Sequence, residues 1–243
     1  MTEILALSGI TKRFGGLTAV NELSFSLAAG EVVGLLGPNG SGKTTVMNMI
    51  SGFFAPTQGV IALKGEPIQG LAPHHIAPKG VARTFQLVRA LPSLTVSENV
   101  QTALAFGKQR LWGEEARERA LHHLEEVGLG ERAGEKASDL TYIDQKRMEL
   151  ARALAAEPDL LLLDEWLAGL NPTELRTGID LIQSLEQRGM TILLVEHVMD
   201  AIRALCGRCV VMNAGRKIAD GPTDEVLRDP EVVRAYLGDD DDA

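Results

Sequence analysis

The amino-acid sequence predicts an α/β fold: a buried, mostly parallel β-sheet with an antiparallel β segment ahead of it and a helical stretch inserted within it. Three observations point there. The octet GPNGSGKT at residues 37–44 sits between a short apolar strand and a helix. Four continuous apolar runs, EVVGLL, DLLLLDE, TILLVEH and CVVMNAG, are too uniformly hydrophobic for strands with one face in water. Between the first of these runs and the other three, residues 88–157 turn helical in pattern.

In chain order, ILALSGI and LTAVNELSFSLAAG alternate apolar and polar residues and read as strands that lead through Gly30 into EVVGLL. The run KTTVMNMISGF continues as a helix with Val46, Met47, Met49 and Ile50 available for burial. GVIALKG and GVARTF read as further strands. SENVQTALAFG, EEARERALHHLEEVGL and DQKRMELARALAA then carry the helical period. Strand and helix alternate again from DLLLLDE, with a helix from about Thr173 to Gln187. PTDEVLRDPEVVRAYLG supplies short terminal helices, and DDDD at 239–242 reads as a solvated acidic tail. A chain of 243 residues with this continuity is most simply one domain, 1–243.

Composition narrows the function classes. The net charge of −9, with no long Lys/Arg run, argues against a broad nucleic-acid-binding face. No apolar stretch is long enough to span a bilayer, and MTEILALSG lacks a basic n-region and a signal-type core. The expectation is a cytosolic chain whose membrane role, if it has one, comes through a partner protein. Cys206 and Cys209 form one C-x-x-C with no second pair and read as free thiols near a strand start. The pairs His74–His75 and His122–His123 read as surface residues.

The octet matches G-x-x-x-x-G-K-[ST] at every fixed position and points to a nucleoside triphosphate. Gly37, Gly40 and Gly42 let the backbone curl so that the N–H groups around Pro38, Asn39, Ser41 and Thr45 face one anion. Lys43 adds a cation for the β/γ-phosphates, and Thr44 offers a hydroxyl to Mg²⁺. LLLLDE ends in Asp164 and Glu165, whose side chains diverge. Asp164 can hold Mg²⁺ through its water shell while Glu165 polarises the water that attacks the γ-phosphate. Gln86 and His197 end two further strands: a Gln can orient water or Mg²⁺, and a His can contact the γ-phosphate and Glu165. Phe14, in KRFGG, is placed to stack on adenine or to serve as a core aromatic.

The order of these motifs resembles the ATP-binding subunits of ABC transporters over nearly the whole chain. The family's A-loop aromatic falls on Phe14, Walker A on GPNGSGKT, the Q-loop on Gln86, the signature on LTYIDQKRMELARAL, Walker B on LLLLDE, the D-loop on AGLNP with Asn171, and the H-loop on His197. RFGGLTAVN, VARTFQ, the EH-x-MD pattern from Glu196 to Asp200 and the ending RAYLG resemble the branched-chain amino-acid uptake branch. Lipopolysaccharide-export ATPases look similar at the tail, urea and amide importers belong to the same branch, and a soluble ABC-type ATPase is the alternative.

The resemblance implies a P-loop ABC-type ATPase core with an antiparallel β subdomain and an inserted helical subdomain at roughly 88–157. It also implies MgATP held between Walker A of one subunit and the signature loop, with Thr141, of a second ATPase subunit. It further implies an integral-membrane permease as direct partner on the inner face of the membrane, a solute-binding protein as indirect partner, Glu165 as general base and His197 as γ-phosphate sensor. Two departures stand out. Ile143 and Asp144 occupy the second glycine and the amide of the LSGGQ-like signature, and Trp166 stands where Pro commonly follows Walker B. If the signature loop needs a glycine-like backbone, Ile143 there costs roughly 1–3 kcal/mol.

Overall fold

Two sheets share one chain because its strands come in two hydrophobic patterns. The computed structural model describes residues 2–237. The alternating strands come first. β1 (Glu3–Phe14) and β2 (Leu17–Ala28) form an antiparallel hairpin closed by Gly15–Gly16, with Phe14 paired to Leu17. The chain then gives β3 (Val32–Leu36) and α1 (Lys43–Ile50), and returns through β4 (Gln58–Leu63) and β5 (Glu66–Pro67) to complete a four-stranded sheet ordered β2-β1-β4-β5.

After the short α2 (Pro73–Ile76) and β6 (Val81–Arg83), three helices follow: α3 (Val96–Phe106), α4 (Gly113–Glu126) and α5 (Tyr142–Ala155). These lie within the stretch whose pattern turns helical, and α3 opens on a reciprocal Thr95/Glu98 capping box. The remainder is β7 (Leu160–Asp164), α6 (Pro172–Gln187), β8 (Thr191–Val195), α7 (Met199–Leu205), β9 (Arg208–Asn213), β10 (Arg216–Pro222), α8 (Thr223–Val226) and α9 (Pro230–Leu237). The second sheet is ordered β10-β9-β3-β8-β7-β6, parallel throughout except where β10 returns beside β9.

The apolar runs are continuous because both faces of this sheet are covered. On β7, Leu161 and Leu163 enter one core with α3, α4, α5, α6 and α7, while Leu160 and Leu162 enter the other with α1 and the antiparallel sheet. On β8, Ile192 and Leu194 divide from Leu193 and Val195 in the same way. Val46, Met47, Met49 and Ile50 of α1 are all buried, as their spacing predicts.

Sequence patterning revealed neither the two-residue β5 nor β10. RKIADGP is polar and half-exposed, and one edge of its ladder is unpaired, which is where charged residues are tolerated. Cys206 and Cys209 are free and fully inside, packed against Gly34 of the central strand. A β-carbon at Gly34 would lie 3.0 and 3.2 Å from the two sulfurs. The neighbouring Cys209 thiol and burial push the Cys206 thiol up, out of the reactive range.

His123 corrects the surface reading of its pair. Its Nδ1 lies 2.8 Å from Glu126, and its Nε2 is buried without a partner. Among the described residues no helix is long and apolar enough to cross a membrane. The acidic stretch 239–242 lies outside the described residues.

Candidate functional site

The octet bridges the C-terminal end of β3 and the start of α1, on the rim where parallel strands expose their carboxyl ends. Two of its glycines are dictated by space. Gly37 has φ +142°, and a β-carbon there would lie 2.0 Å from the Met212 carbonyl. Gly42 has φ +106°, and its β-carbon would lie 2.6 Å from the Ala19 carbonyl on β2. Any side chain would push the loop off β9 or off the hairpin.

No side chain caps α1, so the first-turn N–H groups at Lys43, Thr44 and Thr45 remain available to an anion. Ser41 adds a buried hydroxyl with no hydrogen-bond partner. Lys43 folds back over the loop, donating to the carbonyls of Gly37 at 2.7 Å and Pro38 at 2.9 Å. Burial pulls its pKa down, while Glu165 and Asp164 act in the opposite sense. Asn39, Gly40 and Thr44 are exposed at the mouth.

Asp164 ends β7 and is 4% exposed. Arg83, from the end of β6, donates to its Oδ2 at 2.7 Å, to Asn48 of α1 at 2.7 Å and to Ser51, which follows α1, at 2.9 Å. One guanidinium thereby fastens the carboxylate rim to the helix that follows the octet.

Glu165 stands next along the chain with φ +50°, a left-handed backbone that a non-glycine residue holds only when its surroundings impose it. Its N–H donates to the Val195 carbonyl at the end of β8, 2.8 Å away. Its carboxylate is held from both sides: Gln86 Nε2 donates to Oε2 at 2.5 Å, and His197 Nε2 lies 2.6 Å from Oε1. An ionised carboxylate only accepts, so His197 carries its proton on Nε2.

Four of the residues singled out from sequence therefore converge beside the loop: Asp164, Glu165, Gln86 and His197. Phe14 and Thr141 do not join them. Phe14 is 40% exposed at the β1–β2 hairpin, edge-on to Phe54 at 5.3 Å and with Lys12 Nζ 5.1 Å from its ring centroid. Thr141 is the N-cap of α5; its hydroxyl accepts from the Asp144 N–H at 3.4 Å and donates to the Asp144 carboxylate at 2.7 Å. Asn171 caps α6 in a reciprocal box with Glu174.

The departures from the signature also become concrete. Ile143 lies in the first turn of α5 with ordinary helical backbone, so the glycine-like strain expected there is absent from this structure. The Asp144 carboxylate is paired with Arg132 at 2.6 Å and Arg147 at 3.4 Å.

Sequence reasoning missed a buried layer behind these residues. Lys146, 1% exposed, donates to the carbonyls of Glu165, Trp166 and Ala168 at 3.3, 2.9 and 2.8 Å. Trp166 returns the contact, its indole N–H donating to the Lys146 carbonyl at 3.1 Å. Glu196 accepts from the Leu167 N–H at 2.6 Å. Glu149 of α5 accepts from the N–H groups of Phe85 and Arg89, at 3.2 and 3.1 Å, on either side of Gln86. The strand-end position of Arg83 and the EH-x-MD pattern were the available signals for Arg83 and Glu196. A lysine inside a helical repeat carries none.

A groove of about 480 Å³ opens between these loops and the inserted helices, with Phe53, Phe85, Arg89, Phe106, Glu149 and Arg152 on its walls.

Comparison with known proteins agrees with this geometry. Residues 20–168 match the family described as ABC transporter, and residues 216–242 match the one described as branched-chain amino acid ATP-binding cassette transporter. The high-affinity branched-chain amino acid transport ATP-binding protein LivG of Salmonella typhimurium is 43% identical, over 97% of this chain and 98% of its own. The crystal structure of the ADP conformation of an ATP-binding cassette superposes with a TM-score of 0.89 at 32% identity, covering 98% of this chain and 100% of its own. A dimeric post-hydrolysis cassette bound to ADP and phosphate superposes at 0.82 with 28% identity, over 90% and 99%. With the octet, the paired carboxylates and the sheet order all in place, the chain belongs to the ABC transporter family of ATP-binding cassettes.

Proposed function

We propose that this chain is the ATPase subunit that drives import of branched-chain or related amino acids through an integral-membrane permease. The observation that carries the hydrolytic part is the Glu165 carboxylate, held between Gln86 and His197 beside the phosphate loop. A carboxylate fixed on both oxygens can direct a water at the γ-phosphate and accept its proton. His197 Nε2–H orients that carboxylate and stands ready to contact the phosphoryl oxygens. Lys43 and the N–H groups of residues 39–45 cradle the β/γ-phosphates, and Phe14 stacks on the adenine.

The donor set fits Mg²⁺, which keeps most of its waters and takes few protein ligands. Thr44 contributes its hydroxyl, Asp164 the oxygen that Arg83 leaves free, and Gln86 its side-chain carbonyl, whose amide N–H already faces Glu165. When bound, the ion neutralises charge on the phosphates.

The chain works as one nucleotide-binding domain with residues 88–157 as its helical subdomain. Thr141 and the start of α5 face the ATP of a second ATPase subunit, a homodimer or heterodimer mate. The apolar groove receives the permease on the inner face of the membrane, and a solute-binding protein acts through that permease. The relatives' described transport role supports the solute class.

An equilibrium titration of Lys43→Ala with MgATP is expected to show no tight binding. Glu165→Gln is expected to bind as wild type while turnover falls about 10²- to 10⁴-fold. Wild-type turnover in Glu165→Gln would remove Glu165 from the reaction.

A further inference from the structure

The phosphate loop is gripped from outside its own strand and helix. The Tyr236 hydroxyl, on α9, accepts from the Gly37 N–H at 2.7 Å. The Gly215 N–H, in the turn between β9 and β10, donates to the Ser41 carbonyl at 3.0 Å. Both residues lie in or beside the segment 216–242 that matches the branched-chain cassette family and lies apart from the matched ABC transporter segment 20–168.

Gly37 is the loop's first residue, at φ +142°, and its N–H points away from the anion cradle toward α9. α9 is itself anchored, with Val232 only 2% exposed and Tyr236 packed on the larger core. At Gly37 the loop has no side chain with which to hold its own shape.

We propose that Tyr236 is a positioning residue for the phosphate loop: its hydroxyl holds the Gly37 amide, so that the C-terminal segment maintains the loop in its nucleotide-ready conformation. Tyr236 touches neither nucleotide nor reacting atoms; it acts through Gly37. Without the hydroxyl, Gly37 keeps a buried N–H with no acceptor, and the loop spends part of its time in other shapes. Apparent affinity then falls by the fraction of time the loop is competent. Once ATP is bound and the loop is held by phosphate, turnover proceeds as before. The effect therefore belongs to KM and Kd, not to kcat.

The test is Tyr236→Phe in the full chain, which removes one oxygen and keeps the ring. MgATP Kd and KM are expected to rise roughly 3- to 10-fold, the range one neutral hydrogen bond supports, with kcat within twofold of wild type. In the nucleotide-free protein, the Gly37 amide proton is expected to exchange with solvent faster in the variant and to shift upfield. Ile182→Val, a core truncation in α6 remote from the loop, is expected to lower Tm and leave Kd unchanged.

Wild-type Kd or an unaltered Gly37 amide in Tyr236→Phe overturns the inference. So does an equal rise in Kd in Ile182→Val, which would make the effect one of general stability. The inference rests on the ATP reading, and the two fail separately. If wild type does not bind MgATP that reading falls, whereas the Gly37 amide signal reports on the hydroxyl without any nucleotide.

Discussion

Glu196 sits one residue before His197 and behaves as its opposite: His197 is exposed toward the site, while Glu196 is 1% exposed and faces inward. Burial raises its carboxyl from 4.5 to about 7, Lys146 opposing the shift and Glu165 adding to it. The unfolded chain ionises this group near its ordinary pKa, so between about pH 4.5 and 7 the folded state holds the extra proton. Its stabilisation is complete below that window and declines through it, by roughly 3 kcal/mol. Glu149, raised by burial as well, acts in the same sense.

Glu196→Gln keeps an acceptor for the Leu167 N–H and removes the charge. Denaturant midpoints measured from pH 5 to 8 are expected to fall less steeply than in wild type, and at pH 8 the variant is expected to be the more stable. An unchanged slope would assign the titration elsewhere. Sequence shows the reacting residues well, because Lys43 sits in the fixed spacing of the octet and Asp164, Glu165 and His197 end or follow apolar strands. The residues behind them stay hidden. Lys146 acts through backbone carbonyls of residues 165–168, and carbonyls have no letter in a sequence.

At the scale of elements, α5 resolves the odd signature. Thr141 caps it, Ile143 is helical, and the Asp144 charge is matched by Arg132 and Arg147. Ile143→Gly therefore relieves nothing. It is expected to cost up to about 1 kcal/mol through helix propensity, visible as a lower Tm, with no gain in basal hydrolysis. A rise in hydrolysis would locate strain at this position after all. The strands of the parallel sheet were legible because two covered faces demand unbroken apolar runs. β10 was not, since an edge strand beside water has no such requirement.

At the scale of the molecule, the groove lies where α3 and α5 meet the segment after β6, and Glu149 suspends that segment from α5. A partner seated there presses on the residues that flank Gln86. Phe106 is 77% exposed on its wall. Phe106→Glu is expected to bind and hydrolyse ATP normally as an isolated chain yet to lose recovery with the permease from detergent-solubilised membranes. Undiminished recovery would move the docking surface elsewhere.

The sheet order also governs when the site can exist. β3, which delivers the phosphate loop, lies between β8 and β9, strands that begin only at Thr191 and Arg208. A nascent chain that has emerged through residue 168, the whole span matching the ABC transporter family, carries the octet but neither neighbour of its strand. Closing loops that long is slow, and until it happens Gly37 has no Met212 carbonyl to lie against. Nucleotide binding is thus expected late in synthesis, once β8 and β9 have emerged to flank the strand that carries the loop.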